Sequence, residues 1–152
     1  MYTLVIATLV GAGVVTGLLF AFSNFVLAAL AELPDEHAMF AMQRINERII
    51  NPIFLLLFLG TPLACVGTML TIGAAGAAQS PLVFGAMLYL VGPLGITVLR
   101  NVPLNNRLAA TSTEDAATAW PDYVKRWQFW NHIRSYVGIA ALAFLGYGAV
   151  SL

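Results

Sequence analysis

Charged residues are scarce in this chain of 152 residues, in which Asp, Glu, Lys and Arg together account for only 9%. Soluble domains usually carry about a quarter charged residues, so this composition indicates an integral membrane protein. The formal net charge is zero, and without a basic excess to neutralise phosphates we expect no nucleic-acid partner. The single cysteine, Cys65, allows no disulfide within one chain.

Sequence motifs for metals and nucleotides are also missing. Only two histidines, His37 and His132, are present, and no H-x-x-x-H, E-x-x-H or C-x-x-C spacing occurs. Neither a P-loop nor a G-x-G-x-x-G after a strand is found. The sequence therefore predicts no metal and no cofactor. A haem- or metal-dependent oxidase that uses His132 as a ligand remains the alternative.

Long apolar runs dominate what is present, since 60% of the residues are hydrophobic. A transmembrane helix needs about 20 mostly apolar residues, and the runs predict four spans at about residues 2–31, 52–73, 81–99 and 122–151. A signal peptide is the alternative for the first run, because Ala29-Leu30-Ala31 resembles a cleavage site. However, this run is about twice as long as a signal core and has no positive residues before it, which favours a span.

The segments between the spans differ in character. Residues 32–51 predict an amphipathic helix that starts near Pro34 and lies at the interface or continues the second span. The Gly- and Ala-rich stretch 73–80 predicts a turn. Pro103 is expected to break the third helix, so that residues 104–119 form a polar connection with a short helix opening at Thr113. The predicted fold is all-α: a four-helix integral membrane bundle in one domain, residues 1–152.

The basic residues indicate an orientation in the membrane. All seven lysines and arginines lie in the segment between spans 1 and 2 or between Arg100 and Arg134. Four spans place these two regions on the same side of the bilayer. The positive-inside rule predicts that this side is cytoplasmic and that both termini are outside, in a bacterial-type inner or plasma membrane.

Polar and aromatic residues collect at this predicted cytoplasmic end. The stretch from Trp120 to Arg134 holds all three tryptophans, and helical spacing puts Trp127, Trp130, Asn131 and Arg134 on one face. Each polar residue alone has a structural explanation, such as helix capping for Asn51 or interface anchoring for the tryptophans. Together they predict a pocket, because polar groups at membrane depth are costly. Walls of Tyr123, Trp127, Phe129 and Trp130 suit a flat aromatic ligand.

Three motifs carry a resemblance to a known family: N-E-R-I-I-N-P-I-F at 46–54, T-V-L-R-N-V-P-L-N-N-R-L-A at 97–109 and W-N-H-I-R at 130–134. They resemble the anthrone oxygenase family of small four-helix membrane proteins, and the resemblance extends over almost the whole chain. Characterised members act in aromatic polyketide pathways. The resemblance implies oxidation of an anthrone to an anthraquinone with O₂ as co-substrate and without a cofactor.

This implied chemistry needs a base, oxyanion donors and a dry aromatic pocket. His132 is the candidate base, and Asn101, Asn105 and Arg134 are the other candidate catalytic residues. The candidate substrate-binding residues are Asn24, Asn46, Asn51, Arg100, Tyr123, Trp127, Trp130 and Asn131. The expected partners are a hydrophobic aromatic small molecule and the lipid bilayer, and the sequence leaves a homo-oligomer open.

Two other functions remain as alternatives. A small-molecule transporter or carrier fits four short helices with glycine-rich faces. Proton-coupled transport, however, needs an ionisable acid inside a span, and of the seven acids six fall outside the four predicted spans and the seventh, Asp122, is the first residue of the fourth. A non-catalytic membrane subunit is the second alternative, because no motif in the chain proves turnover.

Overall fold

The computed structural model describes residues 1–77 and 80–152, and the regular elements in those ranges are all helical. Four stretches are long and apolar enough to cross a membrane: span 1 (Tyr2–Ala31), span 2 (Pro52–Ala74), span 3 (Pro81–Ala109) and span 4 (Thr113–Val150). The predicted all-α membrane bundle is therefore confirmed. The predicted turn at 73–80 includes residues 78 and 79, which lie outside the described residues.

Two of the spans contain a π-helical stretch. The elements in chain order are α1 (Tyr2–Ala21), π1 (Phe22–Val26), α2 (Leu27–Ala31), α3 (Asp35–Arg48), α4 (Pro52–Ala74), α5 (Pro81–Tyr89), π2 (Leu90–Asn101), α6 (Val102–Ala109), a 3₁₀ turn (Thr113–Asp115) and α7 (Ala116–Val150). Pro93 lies inside π2, where its missing N–H removes one donor from the helix. π-Helical turns occur frequently at functional sites.

The boundaries of spans 3 and 4 differ from the prediction. The third helix does not end near residue 99, because π2 leads directly into α6 and the helix continues through Pro103 to Ala109. The predicted polar connection 104–119 is therefore mostly helical and shrinks to a short turn before Thr113. Ser112 caps this turn, since its Oγ accepts a hydrogen bond from the Glu114 N–H at 3.3 Å.

Helix α3 is a separate element that folds back onto the bundle. It does not continue span 2, because Asn51 starts α4 by accepting a hydrogen bond from the Phe54 N–H at 3.0 Å. The apolar face of α3 packs against α2, α6 and α7, in a cluster of Leu27, Ala38, Met39, Met42, Leu108, Ala116, Trp120, Tyr123 and Trp127. We call this end of the bundle, formed by α3, α6 and the first turns of α7, the polar end. Within it, α3 packs over α6 and α7.

Spans 3 and 4 approach each other closely where a glycine permits it. A Cβ on Gly92, in π2, would lie 2.4 Å from Cγ1 of Val137 in α7. Span 1 packs on the same part of α7, because a Cβ on Gly138 would lie 2.8 Å from Oγ1 of Thr16. These contacts bring π2 and the middle of span 1 against α7, one turn from Arg134.

Candidate functional site

The candidate site lies on the buried face of α7 at the polar end. Trp127, Asn131 and Arg134 are 3%, 0% and 5% exposed, and their spacing of four and three residues places them on one stripe of the helix. Three of the four residues predicted to share a face are therefore buried together, whereas the fourth, Trp130, is only partly buried. An arginine this deeply buried needs partners, because desolvating a cation is costly.

The partners of Arg134 are neutral. Its Nε donates to Oδ1 of Asn131 at 2.9 Å, its Nη1 donates to Oγ1 of Thr97 at 2.7 Å, and its Cζ lies 5.1 Å from the centroid of the Trp127 ring. Throughout residues 1–77 and 80–152, the ion pairs involve only two other arginines, and both lie on the surface. Within the described part of the chain, Arg134 is therefore a buried cation without a countercharge, and two of its five N–H donors are engaged.

A hydrogen-bond network fixes the acceptors that hold Arg134. Asn131 Nδ2 donates to the Leu19 carbonyl at 3.0 Å and to Ser23 Oγ at 2.7 Å, which leaves Asn131 Oδ1 directed at the guanidinium. Ser135 Oγ donates to the Asn131 carbonyl at 2.7 Å and lies 3.1 Å from Ser23 Oγ.

The second acceptor is fixed in the same way. Thr97 Oγ1 donates to the Pro93 carbonyl, so a lone pair of this oxygen remains for Arg134. Ser23 belongs to π1, and Pro93 and Thr97 belong to π2. Both π-helical stretches therefore contribute to the setting of the guanidinium, which is the location expected if they serve a function.

The side chain of Asn105 binds two aromatic side chains. Its Oδ1 accepts hydrogen bonds from the Tyr123 hydroxyl at 2.9 Å and from Trp127 Nε1 at 2.8 Å. Because Trp127 in turn lies under the Arg134 guanidinium, Asn105 positions the ring on which the cation rests. The geometry thus gives Asn105 a positioning role.

The aromatic residues divide into two groups. The rings of Trp120, Tyr123 and Trp127 form a buried stack, with centroid separations of 5.7 and 6.3 Å. Trp130 instead contacts the exposed Arg100, whose Cζ lies 4.7 Å from the indole centroid, and Phe129 is 57% exposed. The predicted wall therefore consists of Tyr123 and Trp127 beside the network, whereas Trp130 and Phe129 lie towards the outside.

Two buried amide groups near this wall have no hydrogen-bond partner among the described residues: Asn46 Nδ2 and Asn101 Oδ1. The Asn46 side chain is on α3, next to the Tyr123 hydroxyl. In Asn101 the amide nitrogen is engaged, because Nδ2 donates to the Trp127 carbonyl at 3.2 Å. Buried polar groups are normally paired with protein, water or ligand. The acceptor Asn101 Oδ1, which has no partner among the described residues, is therefore consistent with a binding site beside Trp127, whereas the Asn46 amide interacts with the Tyr123 hydroxyl.

His132 is not joined to this network by any hydrogen bond in the part of the chain that the structure describes. It is two residues from Arg134, so the two side chains leave the helix in directions about 160° apart. The His132 ring stacks on Tyr136 with centroids 6.1 Å apart, and its Nδ1 is a buried atom without a partner among those residues. Its predicted role as the base stays a prediction.

Three further predicted residues lie apart from Arg134. Asn24 and Arg100 are exposed. Asn51 caps the start of α4, which is the structural role that its sequence position predicts. Conversely, Thr97 and Ser135 belong to the network although neither was a predicted site residue. A hydroxyl inside a span usually bonds to its own helix, so the sequence offers no signal that separates these two from ordinary packing.

A comparison with protein families gives one match: the family model described as anthrone oxygenase matches residues 39–144. Neither the curated proteins nor the solved structures give a match. The matched region covers well over half of the chain and includes the site residues on α3, π2, α6 and α7, whereas Ser23 lies outside it. The match supports an oxygenase-like function in general.

Proposed function

This chain belongs to the anthrone oxygenase family, and on that premise we propose that it oxidises a flat, anthrone-like aromatic substrate with O₂ beside Arg134. The observation that supports this location most strongly is the buried guanidinium, which is held by Asn131 and Thr97 and has no countercharge in the described part of the chain. Such a group can stabilise an anion that forms only during the reaction.

The role of the cation follows from the charge that the substrate develops. Removing a benzylic proton from an anthrone gives an enolate, whose negative charge is concentrated on the former carbonyl oxygen. The spare N–H donors of Arg134 would interact more strongly with this oxygen than with a neutral ketone. Differential binding of this kind accelerates proton removal, and it is strongest in a dry site whose dipoles are already oriented.

The enolate can then supply the electrons for the reaction with O₂. One electron passes from the enolate to O₂, and the two radicals combine to form a C–O bond at the former benzylic carbon. Protonation gives a hydroperoxide. Loss of the remaining C–H proton from that carbon breaks the O–O bond and releases hydroxide, which is protonated to water. One oxygen atom ends in the quinone and the other in water, so no external reductant is needed.

The proposal assigns stabilisation of the enolate and removal of the benzylic proton to different residues. Arg134 has geometric support for the first role. His132 stays the proposed base because an imidazole nitrogen can accept a proton and its Nδ1 has no partner among the described residues, but its side chain leaves α7 about 160° away from Arg134, so this role has no geometric support. The proposal includes no metal or other cofactor, and the described residues contain no group of three or more His, Cys, Asp or Glu that could hold a metal ion.

The direct test is turnover by the purified full-length chain in lipid nanodiscs. Anthrone is the substrate, and anthraquinone formation and O₂ consumption are recorded together against empty nanodiscs. The proposal expects one O₂ consumed for each anthraquinone formed and no hydrogen peroxide released. A rate equal to that of empty nanodiscs with anthrone and with ring-substituted anthrones would contradict it.

A further inference from the structure

A surface cleft of about 190 Å³ lies at the polar end, between α6 and the first turns of α7. Apolar and aromatic side chains line one part of it, Leu104, Leu108, Ala119 and Tyr123, and polar or charged side chains line the rest, Arg107, Thr111, Thr118 and Asp122. Pockets that enclose a drug-sized ligand usually measure about 300–1,000 Å³. The cleft is therefore too small to enclose a three-ring aromatic compound and is not itself the substrate site.

Tyr123 connects this cleft with the buried cation. It lines the cleft and also stacks on Trp127, with centroids 6.3 Å apart and planes inclined by 29°. Trp127 lies under the Arg134 guanidinium, and both aromatic side chains donate to Asn105 Oδ1. Two aromatic rings fixed by one amide oxygen thus separate the cleft from Arg134.

The neighbouring face of the polar end is closed by α3. Met39 and Met42 are fully buried against the same aromatic residues. The Gln43 side chain holds α3 in place, because its Nε2 donates to the carbonyls of Leu108 and Thr111 at 2.8 and 3.1 Å. A substrate that enters under α3 would have to displace this packed face and both hydrogen bonds, whereas the cleft is already open.

We propose that the cleft between α6 and α7 is the entrance through which the flat aromatic substrate reaches Arg134, past the rings of Tyr123 and Trp127. This inference rests on the proposed function, since it concerns the same substrate and the same site. Leu104, Leu108 and Tyr123 offer the aromatic rings an apolar contact on one part of the mixed lining. The adjacent Tyr123 ring can exchange its contact with Trp127 for a contact with the substrate, so little stacking is lost during passage.

An entrance has a kinetic signature that a binding site lacks. Obstructing a path raises the barrier for entering and for leaving by the same amount, while the free and bound end states are unchanged. The association and dissociation rate constants then fall by the same factor, and the Kd stays constant. A residue that contacts the bound ligand instead changes the Kd, mostly through the dissociation rate.

A reversible obstruction can be placed on Ala119 and, as a matched control, on the exposed Ala117. Each residue is replaced by cysteine in a separate full-length chain, and the thiol is modified with benzyl methanethiosulfonate. The native Cys65 is 0% exposed and should not react. Binding of 1-hydroxyanthraquinone in nanodiscs is followed by stopped-flow quenching of tryptophan fluorescence, before modification, after it, and after reduction with dithiothreitol.

The modified Ala119→Cys protein should show association and dissociation rate constants that are both lower by at least about tenfold, the effect of roughly 1.4 kcal/mol on a barrier. Its Kd should be unchanged, reduction should restore both rates, and the rates of the modified Ala117→Cys control should stay within about twofold of the unmodified ones.

Unchanged rates, or a changed Kd, in the modified Ala119→Cys protein would overturn the proposal that the cleft is the entrance. Turnover of anthrone by the unmodified protein together with unchanged rates would overturn the entrance alone. Absence of both turnover and saturable quenching in the unmodified protein would overturn the proposed function as well.

Discussion

Nη1 of Arg134 in span 4 donates a hydrogen bond to Oγ1 of Thr97 in span 3 at 2.7 Å. This bond joins the buried cation of α7 to the π-helical stretch π2. Because Thr97 also donates to the Pro93 carbonyl, the acceptor cannot rotate freely away from the guanidinium. The charge is therefore oriented before any ligand arrives, and an oriented charge lowers the cost of forming an enolate.

Replacing Arg134 should separate activity from stability. We expect Arg134→Gln to lower kcat/KM for anthrone by about 10²–10³-fold, as the loss of an oxyanion-stabilising group does. Because the variant removes an unpaired buried charge, its thermal unfolding temperature should stay the same or rise. Turnover and circular dichroism melts in nanodiscs measure both. The control is Arg126→Gln, at an exposed arginine paired with Asp122, which should keep its activity. Equal losses in the two variants would contradict the role of Arg134.

Thr97 offers a test of positioning. Thr97→Val retains the shape of the side chain but leaves Nη1 of Arg134 without its acceptor. We expect kcat to fall by at least about tenfold, since a hydrogen bond to a charged group contributes roughly 1.5–3 kcal/mol. Thr97→Ser retains the hydroxyl and should restore most of the loss. The steady-state kcat and KM of the three proteins are compared. A Thr97→Ser protein as slow as Thr97→Val would point to packing by the methyl group instead.

The proposed base makes a separate prediction. His132→Ala should lower anthrone turnover by about 10²–10⁴-fold while the protein stays folded, and added imidazole should recover part of the rate. His132 stacks on the exposed Tyr136, so Tyr136→Leu is the control for a loss of local packing. Full activity in His132→Ala would leave Arg134 as the enolate-stabilising group and assign proton removal to another base.

The four-span fold could be predicted because bilayer thickness imposes a long apolar run on each span, and spans 1 and 2 ended within one residue of the predicted bounds. The end of span 3 could not, since the helix continues through Pro103 after the π-helical stretch π2, and the sequence pattern does not predict a π-helical stretch. Trp127, Asn131 and Arg134 share a face because helical spacing alone determines it. Thr97 and Ser23 depend on how spans pack against each other, which the spacing within one helix does not specify.

The orientation in the membrane is predicted from charge alone. All seven lysines and arginines lie either between spans 1 and 2 or between Arg100 and Arg134, and both regions are at the polar end. We therefore expect this end to face the cytoplasm and both termini to face outward. Alkaline phosphatase and green fluorescent protein fused to either terminus measure this in bacterial cells. Phosphatase activity without fluorescence is the expected result for both fusions. A fluorescent C-terminal fusion would reverse the orientation and place the cleft outside.

The role of Asn105 can be decided by a double-mutant cycle with Tyr123. If Asn105 acts by holding the aromatic rings, Tyr123→Phe and Asn105→Ala remove the same 2.9 Å hydrogen bond, and their effects on turnover should not add. The coupling free energy should be about 1 kcal/mol, the net contribution of one such bond.

If Asn105 instead donates directly to the substrate oxygen, its loss leaves the contribution of Tyr123 intact. The two effects would then add, and the coupling would be close to zero. The same cycle with the exposed Tyr136→Phe supplies the additive reference, because Tyr136 has no hydrogen bond to Asn105 among the described residues.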